Sequence, residues 1–298
     1  MPINYFFLRS MTGALAFGIN FYTKCTEPNT TVMEKPTKQV LITGATSGIG
    51  FELAKLFAKD LYDLVIVARS QEELDKTAVV LNSSYGTKVT TIAKDLFLPD
   101  SAFELYEEVK AKGIEIGILV NNAGQGEYGE FITTDLSKEL SIIQLNISSL
   151  VVLTKLFVLD MVKAGEGKIL NLSSIASKSP GPWQAVYHGT KAFVQSFSEA
   201  LRVELKDKGV SVTALLPGVT DTDFFQKAHM ESSKVVQDKD QMADPADVAQ
   251  DGYEALMEGK DMVVSGFKNK LQVAMGAITP DETAAKKMAK QQEPVSKK

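Results

Sequence analysis

Apolar residues in this chain fall into two kinds of run. Gln39–Thr43 (QVLIT) and Leu64–Ala68 (LVIVA) are short and β-branched, with almost no polar break. That is the pattern of strands buried on both faces. Similar runs lie at 88–93, 117–121, 168–173, 210–216 and 262–265. Between most of them, apolar residues return every three or four positions, as at Ile49, Leu53, Leu56 and Phe57. That is the period of a helix with one buried face. Strand and helix in alternation predict an α/β fold: a single domain with a doubly wound parallel sheet of about seven strands and helices on both faces. Crossovers should be right-handed, and ligands should bind at the carboxyl ends of the strands.

Two helical stretches are more apolar than a single buried face requires. Residues 137–162 include Leu140, Ile142, Ile143, Leu145, Ile147, Leu150, Val151, Leu153, Leu156, Phe157, Val158 and Leu159. Residues 187–205 carry Phe193, Val194, Phe197, Leu201 and Leu205. One side of each should cover the sheet, and another should meet neighbouring helices or a partner.

Composition narrows the function. The chain has 298 residues, 44% of them hydrophobic, and a net charge of −5. This suits a large folded core and disfavours a nucleic-acid partner. Cys25 is the only cysteine, and His188 and His229 are the only histidines. No intrachain disulfide can form, no ordinary zinc site is available, and no metal is expected. A reducing, cytoplasmic location fits this usage.

The first strand runs straight into Gly44-Ala45-Thr46-Ser47-Gly48-Ile49-Gly50 and then into a helix. Glycines turn the chain tightly and let backbone approach a pyrophosphate. The helix start offers free N–H groups and the positive end of a dipole. Gly44, Ser47, Gly48, Ile49 and Gly50 are therefore candidate dinucleotide contacts in a Rossmann-like fold, against the plainer reading of a βα turn without a ligand. The second strand ends at Arg69-Ser70, beside the expected adenosine ribose. An acid there would accept from a 2′-hydroxyl, whereas a guanidinium suits a 2′-phosphate. NADP(H) is expected over NAD(H), the alternative being a solvated surface arginine.

Tyr187 and Lys191 are four apart and share one helix face. At about 4 Å and an effective dielectric of about 20, an ammonium favours a phenolate by of order 4 kcal/mol. That bounds the lowering of the phenol at about three pKa units. Such a tyrosine suits general acid–base work.

The ordered set of motifs resembles the short-chain dehydrogenase/reductase family, in its Thr-Gly-x-x-x-Gly-x-Gly branch, from about Lys38 to Gly266. Thr43 to Gly50 is similar to the family's cofactor turn, and Asp95-Leu96 to its adenine-contacting pair. Asn121-Asn122-Ala123-Gly124 is similar to the motif after its fourth strand. Ser174 precedes Tyr187 by the family's separation. Pro217-Gly218 with Thr222 resembles the stretch at the nicotinamide end. Gly189-Thr190 replaces the family's frequent Ala-Ser. The resemblance implies a catalytic set of Asn146, Ser174, Tyr187 and Lys191. Tyr187 would exchange the proton, with Lys191 lowering its pKa and holding the nicotinamide ribose. Ser174 would bond the carbonyl oxygen, and Asn146 would hold a relay water. Ser173 is the rival serine. Asn122, Ala123 and Gly124 join the cofactor contacts.

The implied activity is hydride transfer between NADP(H) and a carbonyl or alcohol. A homodimer or homotetramer is also implied, built on the two apolar helices. Two alternatives stay open: an idle NADP(H)-binding regulator, and a nucleotide-sugar epimerase or dehydratase.

The periphery is less patterned. Residues 1–37 read as an N-terminal extension; Arg9 interrupts its apolar stretch, leaving weak targeting, weak membrane contact, an unstructured arm or a later start at Met33 as readings. The catalytic domain is expected over 38–270. Within it, 219–245 forms a lid whose Phe224, Phe225, Met230 and Met242 either line an apolar substrate pocket or pack among themselves. Trp183 is expected to line that pocket, and Tyr128 to reach it. Residues 271–298 read as a C-terminal helix and tail, the charged stretch 281–298 being one short helix that then frays.

Overall fold

A computed structural model describes residues 36–237, 242–276 and 278–295. Seven strands alternate with helices: β1 Gln39–Thr43, β2 Leu64–Ala68, β3 Val89–Ala93, β4 Ile116–Asn121, β5 Gly167–Leu172, β6 Val210–Leu216 and β7 Met262–Val264. They form one sheet in the order β3-β2-β1-β4-β5-β6-β7. Every pairing is parallel, as the buried apolar runs of the central strands suggest; the edge strand β3, with Thr90 and Thr91, is only partly buried. The described residues belong to one compact unit.

The strands bury alternate residues on opposite faces. Val40, Ile42, Leu64 and Ile66 meet α1 (Gly48–Lys59), α2 (Gln71–Tyr85) and α8 (Pro245–Met257). Leu41, Val65, Val67 and Leu119 meet α3 (Ser101–Ala111) and the long helix on the other side. The chain changes face between β3 and β4, so the crevice between the carboxyl ends of β1 and β4 is the topological switch point.

The long helix comprises α4 (Leu136–Ile143), a π-helical segment Gln144–Ser149 and α5 (Leu150–Ala164). Asp135 caps its start, accepting from the backbone N–H groups of Ser137 and Lys138. It is long and apolar enough to span a bilayer, yet half of its most apolar stretch is buried against the protein. Leu153, Phe157 and Met161 cover the sheet, while Leu140 and Leu159 face outward.

Helix α6 (Ala185–Leu205) follows β5, and the single turn α7 (Phe224–Lys227) lies in the lid. A helix that the sequence pattern does not predict, α9 (Phe267–Gly276), runs across the expected boundary at 270, and the charged stretch after it forms one short helix, α10 (Asp281–Gln292). After α10, Ser233 pairs antiparallel with Pro294, and Val295 N–H donates to Ser232 O. The expectations for residues 1–35 lie outside the described residues.

Candidate active site

The glycine turn is held by β4. The Asn122 amide donates to the carbonyls of Thr43 and Gly44, both at 2.9 Å. Thr43 Oγ1 accepts from Asn122 N–H and Ala123 N–H. Gly44 (φ +67°) and Gly48 (φ +54°) take the left-handed conformation that glycine adopts without strain. At Gly50 the reason is space: a Cβ would stand 2.2 Å from Gly44 O and 2.3 Å from Asn122 Nδ2. Ser47 Oγ reaches across the cleft to both Asp223 carboxylate oxygens, at 3.3 Å each.

From this turn a continuous cavity of 1070 Å³ runs along the carboxyl edge of the sheet. Its walls include Arg69, Ser70, Asp95 and Leu96 at one end, and Ser174, Tyr187, Lys191, Pro217, Gly218 and Thr222 at the other. Gly44, Ser47, Gly48, Ile49, Gly50, Asn122, Ala123 and Gly124 lie between. Arg69 is exposed, with its guanidinium 5.5 Å from the Phe97 ring centre. Ser70 caps α2 by accepting from Glu73 N–H, and Asp95 accepts from Phe97 N–H.

At the other end, α6 presents Tyr187 and Lys191. Lys191 is buried, donates to Leu172 O at 2.8 Å, and has its Nζ 5.8 Å from the Tyr187 ring centre. Burial pushes the lysine down to about 8. The phenol is not lowered as the helical spacing suggested. Burial pushes Tyr187 up to about 12, against a smaller lowering by its hydrogen bond with Ser174. The reason is solvation: both groups leave water, and the ammonium directs a hydrogen bond at the Leu172 carbonyl. Both serines line the cavity, but their hydroxyls part company: Ser173 Oγ donates to Lys191 O at 2.9 Å and ties α6 to the sheet, whereas Ser174 Oγ accepts from Ala176 N–H and hydrogen-bonds Tyr187.

Asn146 lies outside the cavity lining. The π-helical segment presents its amide to Gln125 N–H (3.0 Å), Gln125 O (2.9 Å) and Thr190 Oγ1 (3.0 Å). Only the space over Gly124 separates it from the lysine: a Cβ there would lie 3.2 Å from Lys191 Nζ and 3.5 Å from Asn146 Oδ1.

Trp183 and Tyr128 do not line the cavity. They stack at 5.9 Å and pack with Ala228, Met230 and Val236 in a satellite core under the lid. Phe224, Phe225 and Met230 serve both purposes, since they join that core and also face the cavity. Met242 belongs to the core alone.

Several residues at the site carry no motif. Gln292, the last residue of α10, is buried in the cavity wall and donates to Gln184 Oε1 at 3.2 Å. Its amide also lies 3.2 Å from His188 Nε2, and His188 Nδ1 lies 2.8 Å from Ser179 O. Burial holds His188 below the usual imidazole range. Beneath the site, Asn121 donates to Thr154 and Asn171, and Asn171 donates to Ser198, each at 2.9 Å. This buried chain ties β4, α5, β5 and α6 together. A polar residue inside an apolar strand run, as at Asn171, was its one sequence signal.

A doubly wound sheet with a glycine turn at its switch point and one long crevice defines a dinucleotide-binding class of α/β protein. Residues 38–232 match the short chain dehydrogenase family, and the chain belongs to it. The chain is 37% identical to a rat (Rattus norvegicus) very-long-chain 3-oxoacyl-CoA reductase over 183 residues, 59% of this chain and 57% of that protein. It is 38% identical to a zebrafish (Danio rerio) very-long-chain 3-oxoacyl-CoA reductase-A over 186 residues, 60% and 57% of the two chains. The aligned part thus spans less than three fifths of these curated relatives. Among solved structures, a Sphingobium yanoikuyae short-chain dehydrogenase in complex with NADPH is similar with a TM-score of 0.73 and 29% identity. That match covers 80% of this chain and 93% of the other.

Proposed function

We propose that this chain is an NADP(H)-dependent oxidoreductase that interconverts a carbonyl and an alcohol on an apolar substrate. One observation carries the reading: Ser174, Tyr187 and Lys191 meet at one end of the same cavity whose middle is the glycine turn. The residues fit the cofactor, because Gly44, Gly48 and Gly50 leave a cradle that side chains would fill. Arg69 stands where the 2′-phosphate would lie. A bound nicotinamide would supply the hydride. The protein's own part is to orient the substrate and move a proton.

Ser174 Oγ is placed to donate to the substrate carbonyl oxygen and hold it beside Tyr187. Tyr187, protonated at neutral pH, gives its proton to the oxygen as negative charge develops there. Lys191 is poised near 8 and stabilises the phenolate left behind. Asn146 fixes the Gln125 backbone and the Thr190 hydroxyl around this lysine, and the gap over Gly124 is the place for a relay water. Phe224, Phe225 and Met230 give the substrate end an apolar wall. The relatives named as very-long-chain 3-oxoacyl-CoA reductases favour a long-chain ketone in the reductive direction.

The outward faces of the two apolar helices, with Leu140, Leu159 and Phe193 exposed, support a homodimer or homotetramer. Light scattering at micromolar protein tests it, and a monomeric mass refutes it. Cysteine usage supports a cytoplasmic location. The intact Ser174, Tyr187 and Lys191 speak against an idle regulator.

The test is NADPH oxidation across ketones and 3-oxoacyl thioesters of rising chain length, beside Tyr187→Phe. The expected result is a kcat/KM that climbs with chain length and falls at least about 1,000-fold in the variant, with cofactor affinity kept. Turnover retained by Tyr187→Phe removes the mechanism; efficiency flat along the series removes the apolar substrate.

A further inference from the structure

Helix α9 carries an unpartnered apolar stripe beside the cavity mouth. Phe267, Leu271 and Met275 recur every four residues, and Ile278 follows the helix; they are 81%, 52%, 48% and 87% exposed. At about 100° per residue, the first three span a sector of about 80°. The opposite face is seated. Val273 packs on the small core of Ala214, Leu216 and Val264, and Asn269 occupies the space that a Cβ at Gly218 would need.

Lys270 and Lys268 border the stripe on its two sides, both exposed and neither in an ion pair among the described residues. From Phe267 to Lys298 the chain has seven lysines against three acids, although its net charge is −5. Apolar side chains flanked by lysines, within a locally basic region of an acidic protein, match an anionic lipid surface: the stripe enters the acyl boundary and the ammonium groups meet the headgroups.

We propose that α9 and Ile278 dock the protein peripherally on anionic membranes. Phe267, Lys268, Asn269 and Gln272 also line the cavity, so its mouth then opens toward the lipid. An apolar substrate would enter from the bilayer without crossing bulk water. That last consequence rests on the proposed activity; the docking does not.

The full-length chain is sedimented with vesicles of phosphatidylcholine alone or with about 30% phosphatidylserine. It is compared with the triple variant Leu271→Ser, Met275→Ser, Ile278→Ser, whose Tm should match the parent. The parent should bind the anionic vesicles at least about 10-fold more tightly than the neutral ones, and the variant should lose at least about 10-fold. Equal binding by parent and variant, strong or absent, overturns the proposal. So does a variant that lowers the oligomeric state while keeping its vesicle affinity, since the stripe is then a subunit contact. A bimane on Met275→Cys in a Cys25→Ser background should shift to the blue on anionic vesicles. One on Val79→Cys, on exposed α2, should not. No shift at 275 overturns the proposal independently of folding.

Discussion

The two ends of the cavity are built by different means. The cofactor end is backbone: two glycines at positive φ, a third with no room for a Cβ, and one asparagine that grips the turn. The substrate end is a wall of side chains from segments far apart in sequence. Gln184 and His188 meet Gln292 across more than a hundred residues, and Phe224 and Met230 lean in from the lid. Backbone geometry restricts residue type severely, so it leaves a motif. A wall assembled by packing accepts many side chains and leaves none.

The sharpest way to break this comparison is Gly50→Ala. The added methyl would fall 2.2 Å from the Gly44 carbonyl, which is backbone and cannot turn aside. We expect cofactor affinity to drop by at least about 100-fold, or the fold to lose about 2–3 kcal/mol, read by fluorescence titration and denaturant melts. A variant that binds and melts like the parent would mean that the turn is not a rigid cradle.

The electrostatics give a second test with a defined sign. Lys191 is protonated in the unfolded chain up to its ordinary value and in the fold only up to about 8. Between pH 8 and about 10.4 the unfolded state binds more protons, so stability should rise with pH across that window. Burial raises Tyr187 to about 12, so above about pH 10 the fold holds a proton that the unfolded chain releases, and the trend reverses. Relative to Lys191→Met, the parent should gain about 2 kcal/mol between pH 8 and 10, by urea melts of the cofactor-free protein. A flat difference would place the lysine in a more polar setting than its contact with Leu172 indicates.

These two residues also show what the chain could and could not tell. Spacing put Tyr187 and Lys191 on one face of a helix, and coordinates agree. Spacing could not report solvation, which sends the phenol up where a lone ion-pair argument sends it down. The strands were legible to within a residue or two because burial on both faces makes them uniformly apolar. Docking of the C-terminal segment was hidden. Its anchors are the Gln292 carbonyl, which accepts from Tyr128 and Ser233, and backbone bonds at 293–295. None of these marks the composition. Trp183 and Tyr128 misled for a related reason: an aromatic near a site in sequence can as well pack beneath it.

Arg69→Ala probes the adenosine end with a smaller effect. The side chain is exposed, rests by Phe97 and is not committed to an acidic partner among the described residues. Its loss should reduce the kcat/KM preference for NADPH over NADH by about 10-fold, almost wholly through the NADPH KM. An unchanged preference, or a parent that favours NADH, would move discrimination elsewhere.

The smallest expected change falls on the substrate wall. Gln292→Ala leaves the carbonyl that holds the C-terminal segment to Tyr128 and Ser233, and removes only the amide facing Gln184 and His188. Those two groups lose a partner, which should destabilise the fold by about 1 kcal/mol. A loosened wall should raise substrate KM by about 3- to 10-fold, with kcat within about twofold and NADPH affinity unchanged. The split separates the two ends. If NADPH affinity falls with substrate affinity, the C-terminal segment supports the whole crevice, and the division between a backbone-built cradle and a packed wall is too sharp. If KM alone rises, a residue more than a hundred positions from Tyr187 shapes the substrate end while the glycine cradle stands apart.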